Sequence, residues 1–273
     1  MPLRFVPGAS VSLAEYAAAL TAAFRGYQFR ILMDAGALAR RVRLEQYDLE
    51  NSLLAYDGEA LVGVASLAVR GDAGWVAGLA VVPEQRGRGR GRELMTVTVE
   101  RARALGLSRL SLEVLSRNAG ARRLYEWAGM RVERDVLIME RAGDVTRPGD
   151  VGPLREAAAA ELLRHFWRLH AVRPAWQRDL PSLLAASLRG LRLGGPARPR
   201  AYALLGRPKA EGVYVSDLAA AGPAEARALC AGLAGVAGTL KIVNEPQGSP
   251  FVEPLLEHGF VETERQHEMH LSL

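Results

Sequence analysis

The stretch that most restricts this chain is Leu79–Arg92, LAVVPEQRGRGRGR, followed by Glu93-Leu94-Met95. An apolar run from Trp75 to Val82 reads as a strand, Pro83 breaks it, and helical spacing resumes at Glu93. Between the two, Gly87, Gly89 and Gly91 alternate with Arg86, Arg88, Arg90 and Arg92. A tight turn needs one or two glycines, not three at every second position where a helix begins. A helix N-terminus carries unpaired backbone N–H groups and about half a positive charge, so it attracts anions. Glycine there lets an anion approach the backbone, and arginines add positive charge around it. The expected structure is a phosphate cradle between a strand and a helix.

Two common cradles are excluded. No Gly-Lys-Ser/Thr follows a first glycine at the spacing of a nucleotide P-loop, and the glycines do not fit Gly-x-Gly-x-x-Gly. What stands in the sequence is Arg86-x-x-Gly89-x-Gly91 after Val81-Val82-Pro83. This resembles the coenzyme A pyrophosphate loop of the GNAT N-acetyltransferase superfamily. The resemblance implies acetyl-CoA as co-substrate, with Arg86, Gly87, Arg88, Gly89, Arg90, Gly91 and Arg92 around its diphosphate. It also implies that the backbone of Leu79, Ala80 and Val81 pairs with the pantetheine amides as an added strand. One N–H of that strand would polarise the acetyl carbonyl.

The order of elements agrees. A first strand at Leu3–Pro7 is followed by a helix opened by the capping box Ser12/Glu15 and a second helix capped by Asp34. A hairpin turns at Asp57-Gly58, a second turn lies at 71–74, and the strand 75–82 leads into the glycine loop. A helix over 93–105, a strand over 110–115, a helix over 119–128 and a strand over 132–140 complete the first half. The sequence β-α-α-β-β-β-α-β-α-β differs from a doubly wound nucleotide fold and is the GNAT order. Gly78 inside its strand predicts a bulge or a close ligand.

A Pro/Gly-rich connector, 143–153, is the expected domain boundary, giving a GNAT acetyltransferase domain over 1–143 and a second domain over 144–273. In the second half, helices are expected at 154–169, 180–191, 224–237 and 251–258, and strands at 201–205, 212–218, 240–243 and 260–273. Gly259-Phe260-Val261 echoes Gly129-Met130-x-Val132, which suggests an internal repeat. Its counterpart of the glycine loop, from Ala219 to Ala226, has no arginine and no Gly-x-Gly. The fold class expected is therefore α/β, two tandem GNAT-like mixed-sheet domains. Only the first holds an intact acetyl-CoA loop; the second is degenerate and structural, or shapes the acceptor pocket.

Composition sets the wider frame. Apolar residues at 49% and charged residues at 24% suit a globular chain with a core. Net charge is +5; residues 1–143 hold 20 basic and 16 acidic side chains, and residues 144–273 hold 15 and 14. The excess falls in the half with the loop, as a polyphosphate ligand would require. A nucleic-acid surface gives the same bias, but Arg/Gly tracts of that kind are long and repeated, and this one occurs once. The start of the chain has no signal-peptide core, and the longest uncharged apolar run, 73–82, is far short of the roughly 20 residues needed to span a bilayer. The single cysteine, Cys230, lies in an Ala/Leu-rich helical run as buried filler. These features point to a cytoplasmic protein, monomer or homodimer, with no nucleic-acid or membrane partner. His165, His170, His258, His267 and His270 show no ligand spacing, so no metal is expected.

For chemistry, Asn118-x-x-Ala121-x-x-x-Tyr125-x-x-x-Gly129-Met130 reads by itself as a capped helix with a buried tyrosine. Its position after the glycine loop resembles the second GNAT motif. That resemblance implies that Asn118 contacts the pantetheine arm and that Tyr125 protonates the leaving thiolate. An acceptor ammonium must also lose a proton. Glu113, alternating with Leu112 and Val114, is the base candidate and equally a solvated strand glutamate; Glu84 is second. Phe24, Tyr27, Phe29 and Arg30 are candidates for the acceptor site, or plain core. The function implied is acetyl or short-acyl transfer from its CoA thioester to a primary amine on a small molecule or peptide. A non-catalytic acyl-CoA-binding or regulatory module is the alternative.

Overall fold

A computed structural model describes residues 3–28, 31–143, 151–209, 212–236 and 238–273. The described residues divide into two compact units, Met1–Glu133 with Glu268–Leu273, and Arg134–His267. The connector proposed as a boundary lies largely outside the described residues, at 144–150. The division by contacts falls instead inside two strands, at 133/134 and 267/268.

The first unit follows the expected order: β1 (Arg4–Pro7), α1 (Leu13–Ala23), α2 (Ala35–Glu45), β2 (Leu53–Asp57), β3 (Ala60–Arg70), β4 (Ala73–Val81), α3 (Arg90–Ala104), β5 (Arg109–Leu115) and α4 (Ala119–Trp127). Ser12 and Glu15 form the full reciprocal capping box of α1, and Asp34 caps α2 through the Ala37 N–H. β1 to β4 run antiparallel in chain order, and β4 then pairs with β5 in parallel. Adjacent residues of β3 face opposite ways: Ser66 meets the Tyr16 hydroxyl of α1 at 2.8 Å, while Leu67 packs with Met95 and Val99 of α3. Thus α1 covers one face and α3 the other. The core of α3 and α4 gathers Leu67, Val76, Met95, Leu110, Leu112 and Tyr125, and Met269 from the end of the chain closes it.

The second unit holds β6 (Arg131–Arg141, from residue 134), β7 (Arg155–Ala158), α5 (Ala159–Leu163), α6 (Phe166–Leu169), α7 (Leu180–Ala185), β8 (Arg189–Gly194), β9 (Pro199–Leu205), β10 (Val213–Ala220), α8 (Pro223–Leu233), β11 (Leu240–Pro246), α9 (Val252–Glu257) and β12 (Val261–Ser272, to residue 267). From β7 onward it repeats the order of the first unit, with three short helices in place of two between its first two strands. Two sequence expectations are corrected here. Residues 155–158 are a strand rather than the start of a helix over 154–169, and 189–194 are a strand rather than the end of a helix over 180–191. These two stretches pair with each other, Arg155↔Arg192 through Ala158↔Arg189, so sheet partners override the helical preference of their Ala, Leu and Arg residues. Among the described residues, no helix is long and apolar enough to cross a membrane. Cys230 is fully buried in α8, and burial pushes its thiol pKa up to about 12, as befits an inert core residue.

The interior of the second unit contains a buried polar group. His170 Nδ1 lies 2.9 Å from the Phe166 carbonyl and Nε2 lies 3.1 Å from Asp217 Oδ1, so both ring nitrogens face acceptors. Tyr202 donates to the other Asp217 oxygen at 3.0 Å, and Arg178 is bonded to Glu245. Burial alone would lower the His170 pKa. The hydrogen bond and charge of Asp217, with the Phe166 carbonyl, outweigh burial and the opposing Arg178 charge, and raise it.

Two stability predictions follow from these cores. Met269→Ala removes a fully buried side chain from the cluster holding Tyr125. It is expected to cost about 2–5 kcal/mol in denaturant unfolding. Because the folded pKa of His170 is raised, its contribution is complete below the unfolded value near about 6.5 and is lost as pH rises through the folded value. The melting-temperature gap between wild type and His170→Gln should therefore be widest in mild acid and narrow with rising pH. A gap that widens instead would contradict the assignment.

Candidate active site

The glycine loop spans residues 82–89, between the end of β4 and the first turn of α3. Gly87 and Gly89 have φ of +76° and +79°, where a side chain is strained, and Gly89 is the N-cap of α3. At Gly91 the chain packs closely: a Cβ there would stand 3.3 Å from Leu124 Cδ2, a contact that the leucine would have to relieve by a shift. The first intrahelical donors are the N–H groups of Arg92 and Glu93, both to the Gly89 carbonyl. The backbone N–H groups of Gly87, Arg88, Gly89, Arg90 and Gly91 have no acceptor among the described residues. Consecutive free donors at the start of a 15-residue helix make a positive concavity suited to a diphosphate.

The arginines around the loop are not the mobile charges that their spacing suggested. Arg86 donates from Nε to the Val81 carbonyl (2.9 Å) and from its terminal nitrogen to the carbonyls of Ala23 (3.1 Å) and Arg25 (2.8 Å). It ties the end of β4 to the end of α1. Arg90 is paired with Asp57 at 2.9 Å and Glu93 at 3.0 Å. Arg92 lies over the Trp127 ring at 5.0 Å. Of the four, Arg88 alone has no hydrogen bond, ion pair or ring contact among the described residues.

Next to the loop, β4 parts from β5. Their pairing stops at Trp75↔Ser111, although β4 runs on to Val81 and β5 to Leu115. On its other side β4 stays paired with β3 through Val81, with a register shift beside Gly78, which is the bulge its glycine predicted. The Val82 N–H bonds to Val62 of β3, so by alternation the backbone groups of Leu79 and Val81 point away from β3 toward the open side. A cavity of about 470 Å³ runs along this edge. Leu79, Ala80 and Val81 line it, with Arg86, Gly87, Gly89, Arg90 and Gly91 at one end and Phe24, Tyr27, Asn118 and Tyr125 around it.

Asn118 caps α4 by accepting from the Ala121 N–H at 3.1 Å. Tyr125, about two helical turns further on, is 7% exposed, and its hydroxyl makes no hydrogen bond among the described residues. Burial, with the neighbouring Tyr27, holds its pKa well above the ordinary phenol value, so it stays protonated. Phe24 and Tyr27 meet edge to face with centroids 5.4 Å apart. The structure places the loop, the β4 edge, Asn118, Tyr125, Phe24 and Tyr27 around one cavity. Phe29 and Arg30 lie outside the described residues.

Glu113 is placed elsewhere. Leu112 and Val114 face α3 and α4, so Glu113 points to the opposite side of β5, where its carboxylate accepts from Trp75 Nε1 at 2.8 Å. It is absent from the cavity wall. It does stand two residues past the last paired residue of β5, on the part that has swung free of β4. Glu84 is exposed and bonded to Arg25. Among the described residues, no three His, Cys, Asp or Glu side chains come together as a metal site.

The second unit has the same frame without these features. β10 and β11 pair only at Val213↔Leu240 and Tyr214↔Lys241 before parting. Where the first unit has residues 82–89, the second has only 221–222, and Gly222 is extended at φ −175°. The hollow beside the parted strands measures about 20 Å³, next to His170, Arg178, Asp217 and Glu245. Helix ends match closely: Gly129 and Gly259 have φ of +90° and +83°, and the N–H groups of Met130 and Phe260 bond back to the carbonyls of Tyr125 and Leu255, each at 3.0 Å. The position of Tyr125 is thereby filled by Leu255, which has no proton to give.

Comparison with known proteins accords with this geometry. Residues 19–130 match the model of the Acetyltransferase (GNAT) family. No curated protein matches the sequence significantly. Among solved structures, a GCN5-related N-acetyltransferase from Sphaerobacter thermophilus is similar, with a TM-score of 0.73 at 13% identity, covering 99% of this chain and 95% of that one. A tandem GNAT protein from the clavulanic acid biosynthesis pathway has a TM-score of 0.68 at 14% identity, covering 99% and 98%. Eis1 from Mycobacterium abscessus has 0.56 at 19% identity, covering 99% and 73%. At such identities the likeness is one of fold. Residues 19–130 form a domain of the GNAT acetyltransferase family, and the chain as a whole has the fold of a tandem GNAT protein.

Proposed function

We propose that the first unit transfers an acetyl or other short acyl group from its coenzyme A thioester directly to a primary amine, in the cytoplasm. The observation that carries this reading is the row of five free backbone N–H groups, Gly87–Gly91, continuous with the free edge of β4 and ending at an unbonded, protonated Tyr125. The loop takes the diphosphate, and the outward backbone of Leu79 and Val81 pairs with the pantetheine arm. Asn118 lines the same passage. The Leu79 N–H is set to stabilise negative charge on the thioester oxygen.

In the transfer, the neutral amine nitrogen bonds to the acyl carbon, the carbon–sulfur bond breaks, the Tyr125 hydroxyl protonates the departing sulfur, and the proton that the nitrogen sheds as the amide forms returns through water to the Tyr125 oxygen. The proton of the acceptor ammonium goes to Glu113, directly or through water, from the parted side of β5. Phe24 and Tyr27 form the wall next to the acceptor. The second unit, with a hollow of only about 20 Å³ and Leu255 in place of the tyrosine, is assigned a structural role. A non-catalytic acyl-CoA-binding module is the competing reading, favoured by the bonding of Glu113 to Trp75.

Calorimetry with acetyl-CoA should find one site per chain. Gly89→Glu, which puts a side chain at positive φ and a negative charge in the cradle, should weaken that site by more than about tenfold. Two sites per chain would show that the second unit binds after all, and none would remove the coenzyme reading. Tyr125→Phe should leave acetyl-CoA affinity unchanged and lower turnover of an amine substrate about 100-fold. Equal turnover would take the proton-donor role from Tyr125, and thioester hydrolysis alone across an amine panel would favour the binding module.

A further inference from the structure

Just outside the loop, a large aromatic is held in the open by one of the loop's own arginines. Trp127, the last residue of α4, is 49% exposed, and the Arg92 guanidinium from the first turn of α3 lies 5.0 Å from its ring centroid. The residue one turn earlier, Leu124, lines the cavity and stands against Gly91. The indole therefore follows, one turn on along α4, a residue of the cavity wall, and it is tied by Arg92 to the first turn of the helix that the loop opens. In the loop itself, exposed Arg88 has a charge with no protein partner among the described residues. An exposed indole contributes little to folding, and α4 does not need it for its core.

We infer that Trp127, steadied by Arg92, is the stacking surface for the adenine ring of the coenzyme, with Arg88 as the countercharge to the phosphates at that end. This rests on the reading that residues 87–91 take the coenzyme's diphosphate. Adenine presents a flat π-face, and an aromatic ring already aligned with a guanidinium gives it a stacking surface without new ordering of the chain. The coenzyme is then held in two ways. Its reactive end meets backbone groups, and its nucleotide end meets side chains.

The test uses the full chain, acetyl-CoA in calorimetry, and coenzyme A bearing 1,N6-ethenoadenine as a fluorescent probe. Trp127→Ala should weaken acetyl-CoA about tenfold, with Trp127→Phe restoring most of the loss. The ethenoadenine emission should be quenched on binding wild type and stay bright when bound to Trp127→Ala. Arg88→Ala should weaken binding and reduce its dependence on salt. Unchanged affinity in Trp127→Ala, or a bound probe that is bright in wild type, would overturn the stacking role while leaving the coenzyme reading intact. Failure of wild type to bind acetyl-CoA at all would bring down both.

Discussion

Everything in the first unit turns on where β4 and β5 cease to hydrogen-bond. Up to Trp75 and Ser111 they form an ordinary parallel ladder, and beyond it they no longer pair with each other, the Val81 carbonyl being taken by Arg86. An open edge inside a sheet exposes donors and acceptors that folding leaves unsatisfied, at a cost of the kind that proteins usually avoid. Here the cost is localised beside the N-terminus of α3, whose first N–H groups are also unpaired. The strand edge and the helix end form a continuous polar track, with an apolar wall from Phe24, Leu79 and Leu124. Such a track fits a long ligand with an anionic middle and an amide-bearing arm.

The same parting in the second unit is completed differently. There a buried set of charges, Arg178 with Glu245 and His170 with Asp217, occupies the neighbourhood of the gap. Buried ion pairs add little net stability over apolar filling, because desolvation offsets their attraction. The two units thus share a backbone plan and differ in what completes it.

The parts of this plan that were legible in the sequence are those with local physical causes. Positive-φ glycines at 87, 89, 129 and 259, the Ser12/Glu15 capping box and the bulge at Gly78 all declare themselves within a few residues. The missing loop at 221–222 was readable for the same reason. What escaped is non-local. Residues 155–158 and 189–194 have helix-forming composition and become strands because each is the other's partner. Arg86 and Arg90 looked like free charge because their acceptors, the carbonyls of Ala23 and Arg25 and the carboxylate of Asp57, are far away in sequence. The side of β5 that Glu113 occupies could be inferred by alternation, but not the indole that holds it there.

The assignment of residues 268–273 to the first unit has a consequence for biosynthesis. Met269 and Leu271 belong to the apolar cluster around Tyr125, and Leu271 reaches within 3.3 Å of where a Gly129 side chain would begin. On the ribosome most of the first unit emerges before the second, yet residues 268–273, which complete its core, follow the whole of the second unit in sequence. During that interval the α4 side of the cavity stands without its final strand.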